Sequence, residues 1–139
     1  MQAFTGIYAP VVQCDSSLLA NRAVIGSDQL LYLEGAGWDH VDVVEFPRSL
    51  TGCVAGLFQF DESDHGSSHQ VRMSVTDHDG ADLGASGVLL VKASARLQTF
   101  AMQFNIILAK AGWFEVKLSD DEGPFSVTRC DVLLVDSTG

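Results

Sequence analysis

Val71–Leu83 reads VRMSVTDHDGADL, and its alternation decides the fold class. Val71, Met73 and Val75 alternate with Arg72, Ser74 and Thr76, the pattern of a strand with one dry face and one wet face. Asp77, Asp79 and Gly80 follow with the chemistry of a tight turn. A related arrangement returns downstream. Phe114, Val116 and Leu118 alternate with Glu115, Lys117 and Ser119 before Asp120, Asp121 and Gly123.

The same reading extends outward along the chain. Ala3–Val12 is expected to be a first strand, with Pro10 weakening its end or placing it at a sheet edge. Gln13–Asp28 has no clear period: Ser16–Ser17 before LLANRAV fits the cap of a short helix, and the segment fits an extended loop equally. Gln29–Leu33 is expected as a buried strand, broken or bulged by Gly35 and Gly37 before Trp38–Val44, where Val41 and Val43 face the core. Pro47 closes that unit. Gly52–Phe60 is a strand with Val54, Phe58 and Phe60 on one face, and Asp61–His69 is an exposed loop.

Gly87–Ala95 is apolar and rich in Val, hence another strand. Thr99–Leu108 alternates perfectly as a strand, yet Leu97, Phe100, Ala101, Phe104 and Leu108 also fit one helical stripe. The absence of charge between Gln98 and Ala109 favours the strand. Trp113–Ser119 and Phe125–Val135 complete the set, with a bulge or edge exposure expected near Arg129–Asp131, where the alternation slips. Eight or nine short strands at regular spacing predict an all-β chain of one domain: a single antiparallel β-sandwich of the Ig-like or C2-like kind, with a closed barrel as the alternative.

Three segments in this order resemble an uncharacterised bacterial family of small all-β proteins, a domain of unknown function. They are LYLEGAGWD (Leu31–Asp39), HQVRMSVTDHDGADL and FAMQFNIILAKAGWFEVKLSDDEG. The resemblance implies a β-sandwich and supports the strand reading of Phe100–Leu108. It brings no active site with it.

Composition narrows the function classes. Eight basic and eighteen acidic residues among 139 give a net charge of −10. Such a chain is a poor ligand for nucleic acid or for anionic lipid, and suits a basic protein partner or divalent cations. The N-terminus lacks the features of a secretory signal, and no stretch has the length of a membrane span. Cys14, Cys53 and Cys130 are odd in number and widely spaced, which predicts free thiols and a cytoplasmic location.

Four chemistries are weighed. Calcium is the first: Asp77, Asp79 and Asp82, with Asp120 and Asp121 and the further acids Asp61, Glu62, Asp64 and Glu122, resemble the loop carboxylates that C2-type sandwiches gather at one end. Against it, Asp and Gly are also ordinary turn residues, and DHDGAD lacks the acid that completes an EF-hand loop. Zinc is the second, from His65 and His69 with Asp61 and Asp64, although that spacing orients nothing in a loop. Nucleophilic catalysis has no G-x-S-x-G elbow and no signature around any cysteine, and no phosphate cradle follows GAGWD.

Trp38 and Trp113 remain. Each is out of phase with its strand's core residues, which marks an interface anchor or a plug at the sandwich end. The functional expectation is therefore a non-catalytic binding or structural module that assembles with itself or with a protein partner. No cofactor is expected. A calcium-dependent binding module comes second and a small enzyme third.

Overall fold

In a computed structural model whose described residues are 12–136, the chain forms nine strands and one short 3-10 turn. The strands are β1 (Gln13–Ile25), β2 (Leu31–Ala36), β3 (His40–Val43), β4 (Arg48–Gln59), β5 (Ser68–Asp77), β6 (Asp82–Lys92), β7 (Leu97–Leu108), β8 (Gly112–Asp120) and β9 (Gly123–Leu134). One sheet has the order β2-β1-β4-β7 and the other β3-β9-β8-β5-β6. They pack face to face as a sandwich and do not close into a barrel. Consecutive strands often lie in different sheets: the connections β2–β3, β3–β4, β4–β5, β6–β7 and β7–β8 all cross between layers.

The alternating segments place the core. Val71, Met73 and Val75 of β5, Phe114, Val116 and Leu118 of β8, and Phe100, Met102, Phe104, Ile106 and Leu108 of β7 all point inward and are buried. Beside β7 in the four-stranded layer, β1 and β4 add Leu19, Val54 and Phe58, so every strand with a clear period-2 pattern gives one face to a shared apolar interior. Thr99–Leu108 is thus strand throughout, paired with β4 from Arg48↔Leu108 to Gln59↔Leu97.

Several expectations are corrected. Gln13–Asp28 is neither helix nor loop over most of its length: it holds β1, a thirteen-residue strand. A bulge between Cys14 and Ser16 breaks its alternation, and it changes partners at Ala20, from β4 to β2. Those two irregularities erase the period. β2 is an exposed edge strand rather than a buried one, because it pairs only with the outer half of β1. Of the bulge or edge exposure expected near Arg129–Asp131, neither falls there: Asp131 is paired on both sides, and the bulge sits earlier, where Leu118↔Ser126 is followed by Ser119↔Pro124 and Phe125 is the extra residue. The sandwich is also not wholly antiparallel, since β3 runs parallel to β9. The strand expected at Ala3–Val12 lies outside the described residues except for Val12, which is buried and donates its N–H to Asp120 Oδ2 at 3.2 Å.

Candidate functional site

The acidic turns do not converge. β5 and β8 are antiparallel neighbours with Asp77 opposite Phe114, so the turn after β5 and the turn after β8 must lie at opposite ends of the sheet. Six residue steps of strand lead from Phe114 to Asp120, a distance of about 20 Å. Asp77, Asp79 and Asp82 therefore cannot join Asp120 and Asp121 around one calcium ion.

Each of these carboxylates instead has a local partner. Asp77 Oδ1 accepts from the N–H groups of Asp79 and Ala81, both at 2.9 Å, and Asp82 Oδ1 accepts from Gly84. Asp79 pairs with Lys110, whose ammonium holds the carboxyl below its usual range. Buried Asp120 accepts from Val12 and Glu122, while Asp121 faces Arg72 at 3.6 Å. Among the described residues, no group of three or more His, Cys, Asp or Glu side chains is placed to hold a metal ion. The proposed zinc ligands separate in the same way. His69 Nε2 lies 2.6 Å from Asp64 Oδ2 and the ring stacks on Phe60, whereas His65 turns outward. The Asp61–His69 segment is accordingly not all exposed: Glu62–Asp64 forms the 3-10 turn, and the Asp64–His69 pair is tucked in.

The tryptophans part company. Trp38 is not an outward anchor: its ring lies edge-on to Phe104 with centroids 6.3 Å apart, and its Nε1 donates to Asn21 Oδ1 and to the Gly35 carbonyl. It plugs the sandwich above Gly52, where a Cβ would lie 2.5 Å from the indole. Trp113 does sit on the outer face of β8, with the Arg129 guanidinium 4.5 Å from its ring centroid and His78 beside it.

His40, on the edge strand β3, carries the clearest pH signature. Its Nδ1 is 2.6 Å from Asp39 Oδ1; this hydrogen bond, with the charges of Asp39, Asp42 and Asp131, raises its pKa above 6.5. A raised folded-state value means that the pairing stabilises the protein below pH 6.5, and that this contribution is lost as pH rises through the shifted midpoint. An NMR titration is expected to give His40 a higher midpoint in the native chain than in Asp39→Asn. Equal midpoints would refute the pairing.

The feature that composition did not reveal is an arm. Beyond Ala20, β1 leaves β4 and forms with β2 a hairpin that leans over the outer surface of β4 and β7. Its turn is closed by bonds between Gly26 and Leu30 and between Gln29 and Gly26, and Tyr32 donates its hydroxyl proton to Asp28 Oδ2 at 2.5 Å. Thr99 Oγ1 donates to the Gln29 carbonyl, which ties the arm to β7. A cleft of about 440 Å³ runs beneath it between Asn21, Ala23, Cys53 and Gln103. A second cleft, of about 300 Å³, separates Ile25 from Leu90 and Phe100. Val24, Ile25, Leu30, Tyr32 and Leu33 all stand exposed on the arm, Leu30 at 59% and Tyr32 at 55%. Across the second cleft Leu90 is 76% exposed.

Residues 15–132 match DUF6941, a family of unknown function. The chain belongs to that family. Membership in DUF6941 agrees with the resemblance carried by LYLEGAGWD and the two longer segments, and it assigns no activity. No curated protein matches the DUF6941 chain in sequence. Among solved structures it is similar to two glycosyl hydrolase family 2 members from Bacteroides cellulosilyticus, at 9% and 11% identity and TM-scores of 0.48 and 0.47, over 63% and 66% of this chain. A β-glucuronidase from glycoside hydrolase family 2 aligns over 63% of the chain at 15% identity and a TM-score of 0.46. The chain spans only 12%, 14% and 10% of those three structures, and nothing about its activity rests on them. Among the described residues no helix is long and apolar enough to cross a membrane.

Proposed function

We propose that the protein is a non-catalytic interaction module that assembles with itself or with a protein partner through the β1–β2 arm. The observation that carries this reading is the exposure of Val24, Ile25, Leu30, Tyr32 and Leu33 on one ten-residue stretch, beside an interior that is already well filled. Val24 and Tyr32 are cross-strand partners on one face of the hairpin, and exposed apolar surface of this kind marks protein interfaces. Charge supports the same place. The arm from Ala20 to Ala36 carries one Arg, one Asp and one Glu, and Arg22 and Glu34 face each other at 3.6 Å. On a chain of net charge −10 it is a stretch that a second acidic copy approaches without strong repulsion.

Cys130 supports a non-catalytic reading. Burial, with the nearby Asp131 and Asp39 charges, pushes Cys130 up to about 12, which leaves no thiolate at neutral pH. His69 is engaged by Asp64, whose Oδ2 lies 2.6 Å from its Nε2. Sedimentation velocity and affinity capture test the proposal together. Leu30→Ser with Tyr32→Ser is expected to weaken assembly by about tenfold or more while shifting stability by less than about 1 kcal/mol. A native chain that stays monomeric and captures no arm-dependent partner overturns it.

A further inference from the structure

A separate concavity lies at the end of the sandwich where β4 leads into β5 and β6 leads into β7. It has a volume of about 510 Å³ and is bounded by Phe60, Asp61, Glu62 and His65 on one side and by Ala93–Arg96 on the other. That size suits a small organic ligand. Its walls are fixed by the backbone: Phe60 N–H donates to the Arg96 carbonyl at 2.9 Å, Gly66 N–H to Ala93 at 2.7 Å, and Ala93 N–H to Ser67 at 2.8 Å. Gln98 braces the second wall, accepting from Ser94 and donating to the Lys92 carbonyl. Below the floor, Phe60 is stacked on His69, and Asp64 holds that imidazole in place.

Several acids elsewhere in the molecule pair locally, in Arg22–Glu34, Arg72–Asp121, Asp79–Lys110 and Arg129–Asp131, and the charges around this cleft do not. Among the described residues, Asp61, Glu62, His65 and Arg96 have no ion-pair or side-chain hydrogen-bond partner. Residues of both charge signs therefore line one partly apolar concavity, and no ion pair joins them. An anion alone meets Asp61 and Glu62, and a cation alone meets Arg96. A ligand carrying both signs satisfies all three.

We propose that this cleft binds a small zwitterion, a free α-amino acid being the simplest member of the class, with its carboxylate toward Arg96 and its ammonium toward Asp61 and Glu62. The site shares no residue with the arm, so it stands or falls independently of the interaction reading. The probe is a panel of free L-amino acids added to the ¹⁵N-labelled chain, with propionate and propylamine as single-charge controls. At least one amino acid is expected to bind saturably in the millimolar range or below, with amide shifts centred on Asp61–Ser67 and Ala93–Arg96. Arg96→Gln and Asp61→Asn are each expected to weaken it by about tenfold. Their unfolding midpoints, which stay near that of the native chain, exclude a folding effect. Absence of saturable binding across the panel, equal binding of either single-charge control, or unchanged affinity in Arg96→Gln overturns the proposal.

Discussion

Gly56→Ala is expected to lower the stability of the chain by about 3 kcal/mol or more, measured as the drop in the urea midpoint. The cause is backbone against backbone. At the bulge between Cys14 and Ser16, β1 drapes the Ser16 carbonyl over Gly56, and a Cβ there would lie 1.9 Å from that oxygen and 2.8 Å from its carbon. No rotamer relieves such a contact, so β1 must move off β4 and take the buried Leu19 with it. Gly87→Ala provides the contrast. Its Cβ would meet only the flexible tips of Met102 and Met73, at 3.4 and 3.5 Å, and that change is expected to stay within about 1 kcal/mol of the native chain. Equal midpoints for the two variants would refute the close approach of β1 to β4.

Phe58→Ala carries the second large effect, a loss of about 3–5 kcal/mol, which is a sizeable share of what such a domain has. Phe58 is fully buried and lies parallel to Phe100 with centroids 4.1 Å apart, while Phe60 and Phe125 meet it edge-on at 6.2 and 5.9 Å. Removing the ring leaves a cavity between the sheets whose walls are stiff aromatics, so little of it collapses. Phe58→Leu keeps most of the volume and is expected to cost about 1.5 kcal/mol. A calorimetric ranking of native, Leu and Ala in any other order would refute this account of the core.

The fold was legible wherever a strand had one dry and one wet face for its whole length. β5, β7 and β8 meet that condition, and their alternation placed Val71, Phe104 and Val116 inside correctly. β1 was illegible for a physical reason: a bulge shifts its phase at Asp15, and past Ala20 it serves an arm rather than the core. For Trp38 the sequence left an interface anchor and a plug open, because an out-of-phase residue just before a short edge strand is free to turn back over the sandwich end.

The carboxylates misled in another way. Turns that each follow a strand look equivalent in sequence, yet when those strands are antiparallel neighbours the turns fall at opposite ends. A signal was present, since the repeated strand-then-acid pattern of Val71–Gly80 and Phe114–Gly123 is what two such neighbours produce. The cleft left no local trace, because Asp61 and Arg96 are brought together only by backbone bonds between two separate connections.

The crossings between layers have a consequence for how the molecule comes into being. Neither sheet corresponds to an uninterrupted length of chain: β3 goes to the five-stranded sheet between β2 and β4 of the other, and β7 returns to the four-stranded sheet after β5 and β6 have joined the five-stranded one. A stretch released early in synthesis thus holds half of two sheets and the whole of neither. Folding has to wait for the late strands, since β7 closes one layer and β8 and β9 complete the other, and the many distant pairings place it in the slow, millisecond-to-second class. Truncation at any connection up to β6–β7 leaves both layers unfinished, and truncation after β7 or β8 leaves the five-stranded layer without strands that β3 and β5 need, so the chain is a knitted fabric whose last rows hold the earlier ones.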